Sequence, residues 1–439
     1  MRYRLLAALP LAALMVVAGA LPAQAVPDVT NPFATLAAGS EPSHILVNGS
    51  GDIFTLNTGN ESISKIHPDG TFDASFHAEF PSFSQPNSFV SNGRGSLYVS
   101  SYLASTVWRV DEATGDVDSG FEANLGTELA GELPESVTVD LFGNIFVATH
   151  SPEAVVKIAP TGDVVGRYPL AVGSGPVDLT TDSFGSVYTA NAADDSISRL
   201  EFDGAGAVTL SERYAELGSG SMPISLATDG PGLLYTANSG NNTVSTVDLS
   251  KPAGSAAAVT TLMPTDSYPY DVTADGQGNV FVTNLGTASV SMFEPDGRFT
   301  SVVAQLSSSE TPEAAAVSQA GQLYTANALS STVSRFGLAP VITSGALPSS
   351  ARVGDVYSAT ASATGLDRIV YGIVGLTPPG LAIDATTGVL SGTPTTTGTF
   401  TFDIAVSNAA GQAFETVTLT VDPALGSTGC WFWHEACGL

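Results

Sequence analysis

Seven prolines set the frame of this chain. Pro42, Pro86, Pro134, Pro176, Pro223, Pro269 and Pro312 are each followed nine residues later by a glycine: Gly51, Gly95, Gly143, Gly185, Gly232, Gly278 and Gly321. Twelve residues after each proline stands an aromatic ring (Phe54, Tyr98, Phe146, Tyr188, Tyr235, Phe281, Tyr324). Twenty-one residues after it stands a β-branched residue (Ile63, Val107, Val155, Ile197, Val244, Val290, Val333). The prolines lie 42 to 48 residues apart. Such a period means that one supersecondary unit is built seven times.

Each copy reads as a strand, a tight turn ending in the glycine, written Asp-x-x-Gly in four copies such as Asp275 to Gly278, a strand carrying the aromatic, a polar turn and a third strand. Glycine takes the positive φ of such a turn without strain. The remaining length leaves room for a variable fourth strand. A four-stranded unit at this spacing is the mark of a β-propeller blade, and packing blades round an axis buries the aromatic and β-branched rows between neighbours. The expectation is an all-β chain with a seven-bladed β-propeller. The seventh copy ends near Phe336 after its third strand, while Phe33–Leu36 precedes the first proline. The N-terminal segment is therefore expected to complete the last blade and remove the open edge.

Four spans follow: 1–25, 26–338, 339–422 and 423–439. Arg2 and Arg4, the apolar run Leu5–Leu21 and Ala23-Gln24-Ala25 read as a secretory signal peptide. The protein is expected to be secreted or at the cell surface, with no integral span after signal removal. With the leader gone, 12 basic and 42 acidic residues remain, a net charge near −30. That charge repels phosphate backbones and excludes nucleic acid as a partner. It leaves an extracellular protein or glycan ligand, or a cation, open, with the chain itself a monomer. The only cysteines, Cys430 and Cys437, are close enough in the tail to form a disulfide around Trp431-Phe432-Trp433-His434.

After Leu338 the pattern changes. Thr399–Val406 and Phe414–Val421 alternate as half-buried antiparallel strands do, and about 83 residues of such strands make a small sandwich.

"YTANSGNNTVSTVD" (Tyr235 to Asp248) and "FVTNLGTASVSMFEPDG" (Phe281 to Gly297) resemble YVTN-type propeller repeats, and the Pro-to-aromatic spacing resembles NHL repeats, over residues 32–338. These families include binding platforms, lactone-acting hydrolases and lyases. "GLAIDATTGVLSGTPTTTGTFTF" resembles the Ig-like, or cadherin-like, domains of bacterial exported proteins over residues 339–422, which implies a spacer or adhesive module. The acids there, Asp355, Asp367, Asp384 and Asp403, form no Asp-x-Asn-Asp-Asn cluster, so the calcium site of some cadherin-like relatives is not expected.

In a propeller, the entry to the first strand and the turn between the second and third strands share one face around the channel mouth. Just after the prolines lie His44, Glu135, Asp178, Asp271 and Glu313, from five different copies. At the end of the second strand lie Asn57, Asn191, Asn238, Asn284 and Asn327, with Ser101 and Thr149 in the other copies and His150 after Thr149. The acids and His44 are candidates for a metal site, for example for Ca²⁺, which takes several oxygen ligands. In the plainer reading the acids accept hydrogen bonds from neighbouring blades' amides, and each Asn caps its own turn. No Gly-x-Ser-x-Gly elbow, His-Glu-x-x-His pair or phosphate loop occurs, and the tryptophan-rich strands of virginiamycin-type lyases are missing. The favoured function is therefore a non-enzymatic binding scaffold with the sandwich as spacer. The alternative is a metal-dependent hydrolase or lyase, lactonase-like or virginiamycin-lyase-like, with its site at the channel mouth.

Overall fold

The computed structural model describes residues 29–424 apart from 204–206, 230–231, 254–257, 276–277, 294–296, 320–321, 338–339, 343–346, 365–368 and 409–410. The leader and the Cys430–Cys437 pair lie outside the described residues.

Seven antiparallel sheets follow one another from Pro42 to Gly337. Each begins at one of the seven prolines. The first strands form a closed ring: Pro42–Val47 packs on Pro86–Ser91, each first strand on the next, and Pro312–Val317 back on Pro42–Val47. The chain is thus a seven-bladed propeller. Its closure uses the N-terminus, since Val29–Thr35 pairs with Thr332–Gly337 and supplies the outer strand of the seventh blade.

The rings of the aromatic row are buried between blades. Phe281 and Val290 of the sixth blade pack on Ala315, Leu323 and Phe336 of the seventh, and Phe54 of the first packs on Leu97, Val99 and Val110 of the second. Burying such rings contributes roughly 1.5–3 kcal/mol each. At the turns, Gly51, Gly95, Gly143, Gly185 and Gly278 take φ between 86° and 101°. Gly232 does not adopt a positive φ, and Gly321 lies outside the described residues.

Six blades have four strands and the second has three. There a short helix, Ser119–Leu125, replaces the outer strand. Asp118 caps it by accepting from the Gly120 and Phe121 amides at 2.8 and 3.0 Å, and Phe121 and Leu125 close over Tyr98 and Val107.

Residues 341–422 form an Ig-like sandwich. One sheet runs in the order Ser350–Arg352, Gly411–Asp422, Gly398–Asn408, Val370–Gly375; the other holds Tyr357–Thr360, Val389–Gly392 and Leu381–Ile383. Phe402, Ile404, Leu419 and Val421 face Tyr357, Leu381 and Leu390 across the core.

Candidate ligand-binding channel mouth

All seven first strands start with the same irregularity. The proline pairs with a residue at the end of the second strand (Pro42 with Asn57, Pro312 with Asn327, and Pro134 with Thr149, one short of its strand's end), and the register then slips. The slip recurs in the other five blades. Proline lacks the N–H that a regular ladder would use, and a bulge at a strand end re-aims the extra side chain. Here the residue after each proline is aimed at the axis: Ser43, Asn87, Glu135, Val177, Ile224, Tyr270 and Glu313 all line one cavity of about 410 Å³.

This collar is two-sided. Glu313, Ser43, Asn87 and Glu135, from blades seven, one, two and three, make a polar and acidic arc. Val177, Ile224 and Tyr270, from blades four, five and six, make an apolar one. Among the described residues no lysine or arginine lines the cavity. Glu135 accepts from Asn87 Nδ2 at 2.9 Å and lies 3.8 Å from His150 Nδ1; burial raises its pKa against the pull of His150. The Glu313 carboxylate has no hydrogen-bond donor among the described residues, and burial, reinforced by Glu41, pushes its pKa up to about 7. Burial also pushes the Tyr270 hydroxyl up to about 12.

The next residue of each strand also lines the cavity, and here the acids are occupied. Ser88 Oγ lies 3.3 Å from Ser136 Oγ, which donates to Asp178 Oδ1 at 2.7 Å. Asp178 Oδ2 accepts the Leu226 amide of the next blade at 2.8 Å. Ser225 donates to Asp271 Oδ1 at 2.9 Å, and Asp271 Oδ2 accepts the Ala315 amide of the next blade at 2.9 Å. These two aspartates stitch blades four to five and six to seven. Burial raises both carboxyls against their hydrogen bonds, Asp178 to about 6. His44 sits in the same layer with Nδ1 3.1 Å from Ser43 Oγ, and burial lowers its pKa to about 4, so the ring is neutral at pH 7.

The five sequence candidates therefore line one cavity but split into two roles. Glu135 and Glu313 belong to the collar, while His44, Asp178 and Asp271 belong to the layer beside it. No group of three or more His, Cys, Asp or Glu able to hold a metal ion occurs among the described residues. The collar's Ser43, Asn87, Val177, Ile224 and Tyr270 were not singled out from the sequence. Their signal is the position directly after each repeat proline.

The asparagine row does not cap its turns as expected. Each Asn is buried and reaches across the hairpin from strand two to strand three. Asn238 Nδ2 donates to Thr243 Oγ1 at 3.0 Å and Ser245 Oγ at 2.8 Å, and its Oδ1 accepts from Thr236 at 2.7 Å. The same net recurs at Asn57, Asn191 and Asn327. The plane of the amide serves three hydroxyls at once, which a backbone cap would not.

The rim above the collar is strained. Before the proline, Glu41, Gln85, Leu133, Met222 and Tyr268 adopt φ of 49° to 52°, a left-handed conformation that costs a non-glycine residue about 1 kcal/mol. Side chains of the preceding blade hold several of these loops. Glu61 accepts the Phe83 and Gln85 amides, Asp195 the Gly220 and Met222 amides, and Asn242 the Tyr268 amide. Met222 and Tyr268 are thereby fixed with 48% and 56% of their surface exposed. They flank a groove of about 420 Å³ lined by Met222, Ile224, Tyr268, Tyr270 and Leu285, and it shares Ile224 and Tyr270 with the channel cavity.

Residues 339–422 match the family model described as Putative Ig domain. No curated protein matches the chain. Among solved structures the chain is similar to a streptogramin B lyase, at 16% identity and a TM-score of 0.58, covering 69% of this chain and 95% of that one. It is similar to virginiamycin B lyase from Staphylococcus aureus at 15% identity and a TM-score of 0.56, covering 69% and 97%. The extracellular domain of a hybrid two component system from B. thetaiotaomicron aligns over 88% of this chain and 57% of that one, at 11% identity and a TM-score of 0.53. At these identities the likeness is one of fold. No described helix is long and apolar enough to cross a membrane.

Proposed function

We propose that the chain is a secreted or cell-surface binding protein of the YVTN/NHL repeat type. Its propeller takes an extracellular ligand at the channel mouth and its Ig-like sandwich acts as a spacer. One observation carries this reading: seven side chains of differing chemistry are aimed by the same bulge into one cavity of about 410 Å³, the size range of small-ligand pockets. Of the candidate metal ligands, Asp178 and Asp271 have hydrogen bonds on both carboxylate oxygens, which supports recognition over metal-assisted hydrolysis or elimination. The fold-level likeness to the extracellular domain agrees with the placement.

The test is a thermal-shift screen of the full chain against small extracellular metabolites, with each hit recovered and weighed by mass spectrometry. A hit that stabilises the protein and returns unchanged supports a binding protein. A hit converted to product, together with stoichiometric metal and a melting shift on adding Ca²⁺ or EDTA, would establish the hydrolase or lyase instead.

A further inference from the structure

The collar and the groove together define a ligand class. Three arrangements point the same way. The apolar arc of the collar continues without a break into the groove, because Ile224 and Tyr270 stand in both walls. Two blades on from Ile224, the acidic arc ends in Glu313, which no donor among the described residues satisfies, on the blade next to Tyr270. On the rim, two large apolar side chains are held out to solvent by a strained backbone. Met222 has φ 51° and its amide is tied to Asp195 at 2.8 Å; Tyr268 has φ 50° and its amide is tied to Asn242 at 2.9 Å.

The groove also depends on glycine. A Cβ on Gly286 would clash with Tyr268 Cδ2 and with the Asp266 carbonyl, so the ring can lie over that turn only while it is bare. A chain that only needed to seal its rim would turn these side chains inward. Holding them outward above a collar in which Glu313 follows Tyr270 builds a surface with an apolar end and an acidic end, and among the described residues neither wall carries a lysine or arginine.

We propose that this mouth binds a small organic cation: an ammonium group carried on an aromatic or aliphatic body. The ammonium takes the Glu313 carboxylate, with the Tyr270 ring beside it for a cation–π contact, and the body lies in the groove against Met222, Tyr268 and Leu285. The proposal rests on the binding-protein reading above and adds to it the chemistry of the ligand.

Isothermal titration of the full chain with 2-phenylethylammonium, 2-phenylethanol and phenylacetate tests it. The three probes share one body and differ in charge. The ammonium is expected to bind, the alcohol at least tenfold more weakly, and the acetate not at all. Glu313→Gln and Tyr268→Ala are each expected to weaken ammonium binding by about tenfold, the loss of roughly one charged or aromatic contact, in proteins that melt no lower than the parent. Phe184→Ala, an exposed ring in the turn between strands one and two of the fourth blade, leaves it unchanged.

Equal binding of the three probes, or no ammonium binding at about 10 mM, the weak end of measurable affinity, overturns the proposal. Both results are read on the parent protein and need no variant to fold. Failure here is separable from failure of the binding-protein reading. If the metabolite screen returns neutral sugars or acids unchanged, the ligand class falls and the binding protein stands; if its hits are turned over, the binding protein itself falls.

Discussion

The asparagine row offers the sharpest test of the fold's internal logic, because one of its five copies is incomplete. Four copies carry the set Thr-x-Asn with a serine opposite: Thr55 pairs across the hairpin with Ser64, Thr189 with Ser198, Thr236 with Ser245 and Thr325 with Ser334. Blades two and three replace the whole set with apolar pairs, Val99 with Trp108 and Val147 with Val156, and there the Asn is also gone. Only the sixth blade mixes them. Val282 faces Ser291, yet Asn284 remains. Its Nδ2 still donates to Ser289 and Ser291 Oγ, at 3.1 and 2.9 Å, but its buried Oδ1 finds no donor among the described residues.

Val282→Thr should therefore stabilise the protein. Valine and threonine have the same branched shape and strand preference. The new hydroxyl would stand where Thr236 Oγ1 meets Asn238 Oδ1 at 2.7 Å. Leaving a buried acceptor unmade costs about 1–3 kcal/mol, and the methyl given up is worth about 0.8 kcal/mol. The net expectation is a gain of about 1 kcal/mol, or a rise of about 2 °C in melting temperature for a domain of this size. The mirror change, Thr236→Val in the fifth blade, should cost about the same. Urea unfolding of both variants beside the parent measures the two. If Val282→Thr is neutral or destabilising while Thr236→Val is harmless, the amide carbonyls of the row carry no desolvation cost and the clamp reading is wrong.

Three further outcomes follow from the site. Asp178 and Glu313 should make stability fall as pH rises: folding keeps protons on them that the unfolded chain has lost, so their contribution is full below the ordinary carboxyl range and disappears as pH rises through about 6 and about 7, while His44, held neutral by burial, opposes them between about 4 and 6.5, so the net fall shows above that range. The loss is on the order of 3 kcal/mol after discounting for the open channel, and a urea-midpoint series should be flatter for Glu313→Gln than for the parent. Glu61→Ala should cost about 1 kcal/mol and speed hydrogen exchange at the Phe83 and Gln85 amides with no change at the corresponding loop of the fifth blade; exchange unaltered at both amides would remove the carboxylate clamp. Asp178→Ala should cost about 2–4 kcal/mol, since it orphans the Leu226 amide and the Ser136 hydroxyl together; a melting curve identical to the parent's would show that the aspartate does not stitch its blades.

Much of the propeller was legible because its physics repeats. The proline that starts each first strand and the ring that fills the inter-blade space meet the same need seven times, and the glycine takes its positive φ in five of the turns, so they recur at fixed distances. The outer strand of the second blade was not legible from the repeat, because the repeat says nothing beyond the third strand. Its local signals were present. Asp118 stands at a helix N-terminus, Phe121 and Leu125 share a face four residues apart, and Gly126 ends the run. There, local capping and periodicity prevailed over analogy with the other copies.

The site was legible only in outline because a bulge defeats the rule of alternation. In a regular strand, neighbouring side chains face opposite sides, so Glu135 and Asp178, at the first and second positions after their prolines, would not be expected in one wall. The slip after each proline turns both positions toward the axis and separates them by role. The second position is committed to joining blades, as the Ser136–Asp178–Leu226 and Ser225–Asp271–Ala315 links show. The first position has the same backbone in every blade and a different side chain in almost all of them: serine, asparagine, glutamate, valine, isoleucine, tyrosine, glutamate. A backbone held constant seven times with the side chain left free is where a repeat protein can set specificity without disturbing its fold. Chemistry in this chain should accordingly be sought at the residue after each proline, with Glu313 and Tyr270 first.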